Sequence, residues 1–248
     1  MGSNPIFRSK IRGAVEQLYN VNGLIFWTEE EINARKLVES RLVWVIKQRL
    51  KRMNRAWEFF QVEAPILTPQ SFVNPNYSAD DMFATNGTSK DSEGNDVTLI
   101  ARPETTMGSY AYAKHLLNPH NEEKVRMPLV VWQHGKSFRR EQDQPTKFMR
   151  LKEFHQLEFQ CIYSPSTGAD YYTPLVADVA AMLARWVGQT RVVPSDRLPD
   201  YSEMTMDIEH VESGMELVSC SKRKDFENAK VVEIAVGTDR VVKHFLGV

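Results

Sequence analysis

Apolar residues recur at Val38, Leu42, Val45, Ile46, Leu50, Met53 and Trp57, and this spacing predicts a long amphipathic helix over 30–57. The period then changes. Phe59-Phe60-Gln61-Val62-Glu63-Ala64-Pro65-Ile66-Leu67-Thr68-Pro69 reads as a strand closed by prolines, which suit a sheet edge because proline donates no ladder hydrogen bond. The polar, glycine-containing stretch 85–97 predicts a loop or hairpin tip. Short apolar runs at 98–101, 129–133, 154–163, 204–208, 215–218 and 231–236 predict strands. Helices are predicted over 104–117, over 171–189 with Leu175, Val179, Met182, Leu183 and Trp186 on one side, and from 238 to the end. A shorter helix is predicted over 8–19, before a turn at Asn22-Gly23. Several strands follow one another without intervening helices, so the expected fold class is α+β, a largely antiparallel sheet flanked by helices. The expected organisation is an N-terminal appendage over 1–29 and one compact domain over 30–248.

Charge narrows the choice of partners. The 31 Lys+Arg against 32 Asp+Glu leave a net charge of -1, which argues against attachment to nucleic acid by bulk charge. The basic cluster Lys47, Arg49, Lys51, Arg52 and Arg55 reads as a solvated helix face, with contact to a nucleic-acid backbone as the alternative. Cys161 and Cys220 form no CxxC pair, no basic-then-apolar leader precedes the fold, and no apolar run approaches the ~18 residues of a membrane helix. A cytoplasmic protein without a membrane partner is therefore expected.

Gly135-Lys136-Ser137 imitates the end of a phosphate-binding P-loop, but that motif needs another glycine five positions upstream, where Val130 stands. The residues after it are more informative. Ser137-Phe138-Arg139-Arg140-Glu141, a polar loop, and Arg150-Leu151-Lys152-Glu153-Phe154 read as two strands that bring Arg139, Arg150 and Phe154 to one ligand. A nucleoside triphosphate held without a P-loop needs fixed cations on its phosphates and a flat apolar surface on its base. These three side chains supply both.

Helix 30–57 with Gln61-Val62-Glu63-Ala64-Pro65, then FRRE at 138–141 with RLKEF at 150–154, then Val232 through Arg240 resemble in order motifs 1, 2 and 3 of the class II aminoacyl-tRNA synthetase catalytic core. Within that class, Ala101-Arg102-Pro103-Glu104-Thr105 resembles the RPET segment of glycyl-tRNA synthetases. The pairs Phe154 with Glu158, and Glu233 with Arg240, repeat the glycyl spacings. The segment Gly214 to Ser221 resembles the strand that precedes motif 3.

The resemblance implies formation of an aminoacyl-adenylate from ATP and glycine or another small amino acid, followed by transfer to an acceptor: a tRNA, another nucleic acid or a carrier protein. By the same resemblance Arg139 and Arg240 are the catalytic residues, and ATP is held by Arg139, Glu141, Arg150, Phe154, Glu216 and Arg240. Glu216 acts there through a magnesium ion (Mg2+), a hard cation that takes carboxylate and phosphate oxygens. Glu104, Glu158 and Glu233 line the amino-acid pocket, where buried carboxylates accept charge-assisted hydrogen bonds from an ammonium. A homodimer through motif 1 is implied, with Phe59, Phe60 and Val62 offering apolar surface.

Two departures bear on the amino acid: Ala235 stands where the glycyl pattern has serine, and Gln160 where it has a second glutamate. Only 241–248 follow Arg240, so an anticodon-binding domain is not expected within these residues. The rival reading is a catalytically silent synthetase-like module that binds nucleic acid or regulates. Such a module would lose its phosphate-binding arginines first, and Arg139, Arg150 and Arg240 are all present.

Overall fold

The computed structural model describes residues 23–73, 77–120, 125–140, 150–196 and 198–247. The helix expected over 8–19, nearly all of the appendage 1–29, and Glu141 lie outside them. The first helix, α1 (Glu29–Met53), starts where a capping box forms: Glu31 N donates to Thr28 Oγ1 at 3.3 Å and Thr28 N to Glu31 Oε2 at 2.7 Å. Its first turn carries Glu29, Glu30 and Glu31 and its last Lys51 and Arg52, each sign suited to its end of the helix dipole. Val38, Leu42, Ile46 and Leu50 are fully buried along one face. The helix ends four residues before the apolar period does, because Asn54 turns extended and its Oδ1 accepts from Ala56 N.

The proline-closed segment is not one strand. It divides at Ala64-Pro65 into β1 (Glu58–Gln61) and β2 (Leu67–Pro69). There follow β3 (Phe83–Ala84), the hairpin β4 (Ser89–Lys90) and β5 (Asp96–Val97), β6 (Leu99–Ala101) and α2 (Thr106–Leu116). The long strands β7 (Leu129–Phe138) and β8 (Glu153–Tyr163) lead to α3 (Tyr172–Val187). A strand without a strong apolar signal, β9 (Thr190–Pro194), precedes β10 (Ser202–His210), β11 (Glu216–Arg223), β12 (Lys230–Gly237) and α4 (Thr238–Leu246). The seven-stranded sheet runs β1-β7-β8-β12-β11-β10-β9; β1 pairs parallel with β7 and every other neighbour is antiparallel. The α+β expectation holds, with one parallel pair at the edge that carries β1. A small sheet β2-β6-β3 stands beside it.

Side chains alternate across the sheet. On one face Val130, Trp132, Leu157, Phe159, Cys161, Val218, Cys220, Val232, Ile234 and Val236 pack under α1, α3 and α4. On the other, α2 covers only the end formed by Leu129, Val131, Ile162 and Val231, through Ala113 and Leu116. The remainder of that second face carries polar residues.

A buried polar cluster ties α1 to this frame. The Asp239 carboxylate accepts from Arg35 Nη1 at 3.0 Å and from the His155 backbone N–H at 2.8 Å, with 3% of its side chain exposed. Removing one partner of a buried ion pair leaves the other uncompensated, at roughly 3–5 kcal/mol. Asp239→Ala is expected to lower unfolding free energy by about that amount; a urea-denaturation difference below about 1 kcal/mol, the scale of exposed pairs, would contradict it.

Candidate active site

The polar end of the second face follows from the same alternation that builds the core. Glu158 shares parity with Ile162 on β8, Glu233 with Val231 on β12, and Ser219, Ser221 and Arg223 fall opposite to Val218 and Cys220 on β11. Thr205, Asp207 and Glu209 do the same on β10. These side chains, with the loop before α2 and the β7–β8 ends, line a cavity of about 560 Å³. Glu104, Arg139, Arg150, Phe154, Glu158, Glu216, Glu233 and Arg240 all face it, so the described residues that the resemblance assigned to ATP and the amino acid are brought to one place.

At one end stand three carboxylates. Glu158 accepts from Thr105 Oγ1 at 2.5 Å, from Thr106 Oγ1, and from Gln160 Nε2 at 2.6 Å. Burial, then the neighbouring Glu233 and Glu104, push its carboxyl up to about 8. Burial likewise raises Glu104 above the usual carboxylate range. Glu104 Oε2 accepts from the Tyr77 hydroxyl at 2.9 Å, whereas Oε1 is buried and without a hydrogen-bond partner among the described residues. Glu233 Oε2 accepts from Arg223 Nη1 at 2.5 Å and from Gln160 Nε2 at 2.9 Å. Gln160 thus bridges two carboxylates as a donor, a role a glutamate at that position could not fill while ionised.

Arg223 and its surroundings escaped the sequence reading. Its guanidinium lies 3.8 Å from the Tyr201 ring centre and 4.9 Å from that of Tyr110, and Nη2 donates to Asp225 at 2.6 Å. The signal was present. Extending the β11 alternation beyond Val218 puts Arg223 on the face of Ser219 and Ser221.

The other end is cationic. Arg139 Nε donates to Pro103 O at 3.1 Å, and its guanidinium lies 5.4 Å from the Tyr77 ring centre and 5.2 Å from that of Phe154. Arg240 Nη1 donates to Glu216 O at 2.9 Å and lies 3.7 Å from the Glu216 carboxylate. Glu216, Ser219 and Asp207 present hard oxygen donors to the cavity, and Asp207 Oδ1 is buried and without a hydrogen-bond partner among the described residues. That set fits a magnesium ion arriving with phosphates, which needs only one or two carboxylates from the protein. Among the described residues no group of three or more His, Cys, Asp or Glu is arranged to hold a metal by itself.

Arg102 of the RPET segment does not line the cavity but supports its wall. Its Nη1 donates to Ala64 O at 2.6 Å and its Nε to Lys136 O at 2.9 Å. A Cβ on Gly135 would come within 2.2 Å of Arg102 Nη2, so the glycine of the P-loop decoy makes room for a guanidinium rather than a phosphate. Gly108 serves α2 similarly: a Cβ there would meet Ala64 Cβ at 2.1 Å.

The chain is similar to several known proteins. A glycine–tRNA ligase of Mesoplasma florum is 27% identical over 199 residues, covering 77% of this chain and 40% of that protein. The corresponding ligase of Mycoplasma capricolum is 29% identical over 154 residues, covering 59% of this chain and 33% of that protein. This chain therefore spans about 40% or less of the length of these relatives. In fold it resembles a Cryptosporidium parvum prolyl-tRNA synthetase complexed with halofuginone and AMPPNP, at TM-score 0.69 and 15% identity over 92% of this chain and 48% of that one. A Naegleria fowleri serine-tRNA ligase in complex with AMP gives TM-score 0.66 and 14% identity over 89% of this chain and 50% of that one. No described helix is long and apolar enough to cross a membrane. With the tRNA synthetase class II core domain (G, H, P, S and T) matched over residues 86–243, more than half of its length, the chain belongs to that family.

Proposed function

We propose that this chain activates glycine, or another small amino acid, with ATP and passes the acyl group to a tRNA. The observation that carries the reading is the polarity of one cavity, with three buried carboxylates at one end and Arg139, Arg150 and Arg240 at the other. An α-amino acid presents an ammonium beside a carboxylate. The ammonium offers three donors, and Glu104 Oε1 is a buried acceptor that lacks one. With the ammonium seated there, the substrate carboxylate points toward the arginines.

The step needs no side-chain nucleophile. A substrate carboxylate oxygen attacks the α-phosphorus of ATP, the bond to the bridging oxygen breaks, and pyrophosphate leaves. Arg139 stabilises charge growing on the α-phosphate, while Arg150 and Arg240 hold the outer phosphates, and Phe154 gives the adenine a flat surface. Glu141 is assigned a contact to the nucleotide by its place in the motif. A magnesium ion bound with ATP through Glu216 would offset phosphate charge. The glycine–tRNA ligase relatives support glycine and tRNA as substrates.

The dimer expected through motif 1 belongs to the same proposal. Phe59, Phe60 and Val62 are partly buried, Phe59 against the main core and Phe60 and Val62 against the smaller one, and each keeps some exposed surface. Ile66, Leu67, Phe72 and Phe83 nearby are exposed, Phe72 by 54%. They give the second subunit its apolar contact.

Three outcomes are expected. Arg139→Ala should lower ATP–pyrophosphate exchange with glycine by roughly 10²–10³, the loss for one transition-state donor; an unchanged rate would remove the assignment. Glycine binding at pH 7 should release a proton, because the free Glu158 carboxyl titrates near 8 and an ammonium beside it favours the ionised form. Calorimetry in two buffers of different ionisation enthalpy reads this directly, and release should fade as pH rises past that value. Sedimentation at micromolar concentration should give twice the 28.6 kDa chain mass, and a single-chain mass would reject the dimer.

A further inference from the structure

Tyr77 lies between the two ends of the cavity and touches both. Its hydroxyl donates to Glu104 Oε2 at 2.9 Å and accepts from Arg139 Nη2 at 2.9 Å. Burial and the adjacent Glu104 keep the phenol protonated far above neutral pH, so its single proton goes to the carboxylate and its oxygen is left for the guanidinium. Glu104 in turn has one oxygen occupied by Tyr77 and the other buried with no partner among the described residues. The Arg139 guanidinium also lies 5.4 Å from the Tyr77 ring centre and 5.2 Å from that of Phe154. An unbroken chain of polar contacts therefore runs from the carboxylate at the amino-acid end to the arginine at the phosphate end.

From this juxtaposition we infer that Tyr77 is a positioning residue through which occupancy of the amino-acid subsite raises the affinity of the phosphate subsite. The inference rests on the adenylation reading above. Its sign follows from charge. An ammonium on Glu104 neutralises the carboxylate that draws the Tyr77 proton and, through it, Arg139. The phenol is then held less firmly toward Glu104, and the guanidinium is released toward an incoming phosphate. Hydrogen bonds in such a chain polarise one another, so a change at one end is felt at the other. By linkage the effect is reciprocal: phosphate on Arg139 leaves Glu104 more available to an ammonium.

The test compares ATP affinity with and without saturating glycinamide, which keeps the ammonium and lacks the reacting carboxylate, in the wild-type chain and in Tyr77→Phe. Phenylalanine retains the ring beside Arg139 and removes only the hydroxyl. In the wild type, glycinamide is expected to tighten MgATP by roughly 5-fold or more, the lower range of measured site–site coupling. In Tyr77→Phe the ratio should fall to about 1, with ATP affinity in the absence of glycinamide raised toward the wild-type value in its presence, because no hydroxyl restrains Arg139. A side chain with a merely structural role would weaken both affinities and leave their ratio intact. Equal ratios in the two proteins, or a wild-type ratio of one with both ligands binding, overturn the role of Tyr77 while leaving adenylation standing. Failure of the wild type to bind ATP at all overturns the adenylation reading and this inference with it. Tyr77→Ala, checked for folding by its thermal transition, should show the same loss of ratio.

Discussion

Asp239 sits at the first turn of α4, one residue before Arg240, and its carboxylate joins three parts of the chain that are distant in sequence. Arg35 reaches it from α1, and the backbone of His155 reaches it from β8, directly after Phe154. Thr238 Oγ1 adds a bond to His155 O at 3.1 Å. The carboxylate is also well placed for the positive end of the α4 dipole. Through this one group, the helix that builds the core, the strand that carries Phe154 and the helix that carries Arg240 are fixed in register. Side chains that must approach one ligand from different elements require such a shared anchor, because small displacements of a reacting geometry cost rate steeply.

The two faces of the central sheet divide the labour between stability and chemistry. One is apolar from end to end beneath α1, α3 and α4, and supplies most of the burial. The other is given over to carboxylates, hydroxyls and guanidinium groups that the fold by itself holds at a disadvantage. Glu104, Glu158 and Glu233 are desolvated together, with Arg223 as their internal counterion and threonine hydroxyls as donors. Such an arrangement is poor for a core, and among the described residues it leaves Glu104 Oε1 buried without a hydrogen-bond donor.

Much of this was legible in the sequence where a residue's role follows from spacing. Arg139, Arg150 and Phe154 followed from reading their segments as two joined strands, although both arginines lie just outside β7 and β8, whereas Glu158 and Glu233 were marked by the resemblance of their spacings to glycyl-tRNA synthetases. Local chemistry that breaks a period was harder to read. Asn54 stopped α1 within an apolar stripe that continues to Trp57, and Pro65 divided one apparent strand into two. The edge strand β9, with Arg191 and Val192 exposed, lacks the apolar run that announces a buried strand. Tyr77 gave no signal at all, because its place beside Glu104 and Arg139 is set by how loops fold over the sheet and not by any repeat along the chain.

The close approach of Gly135 to Arg102 ties two positions that look independent. The guanidinium occupies the volume where any other residue at 135 would place its first side-chain atom, and it spends its donors on the Ala64, Pro65 and Lys136 carbonyls that shape the wall. Enlarging residue 135 displaces the arginine, and shortening residue 102 leaves those carbonyls without donors and the glycine without a reason. Drift at either site is therefore conditional on the other, so in descendants of this chain the two positions can change freely only as a pair.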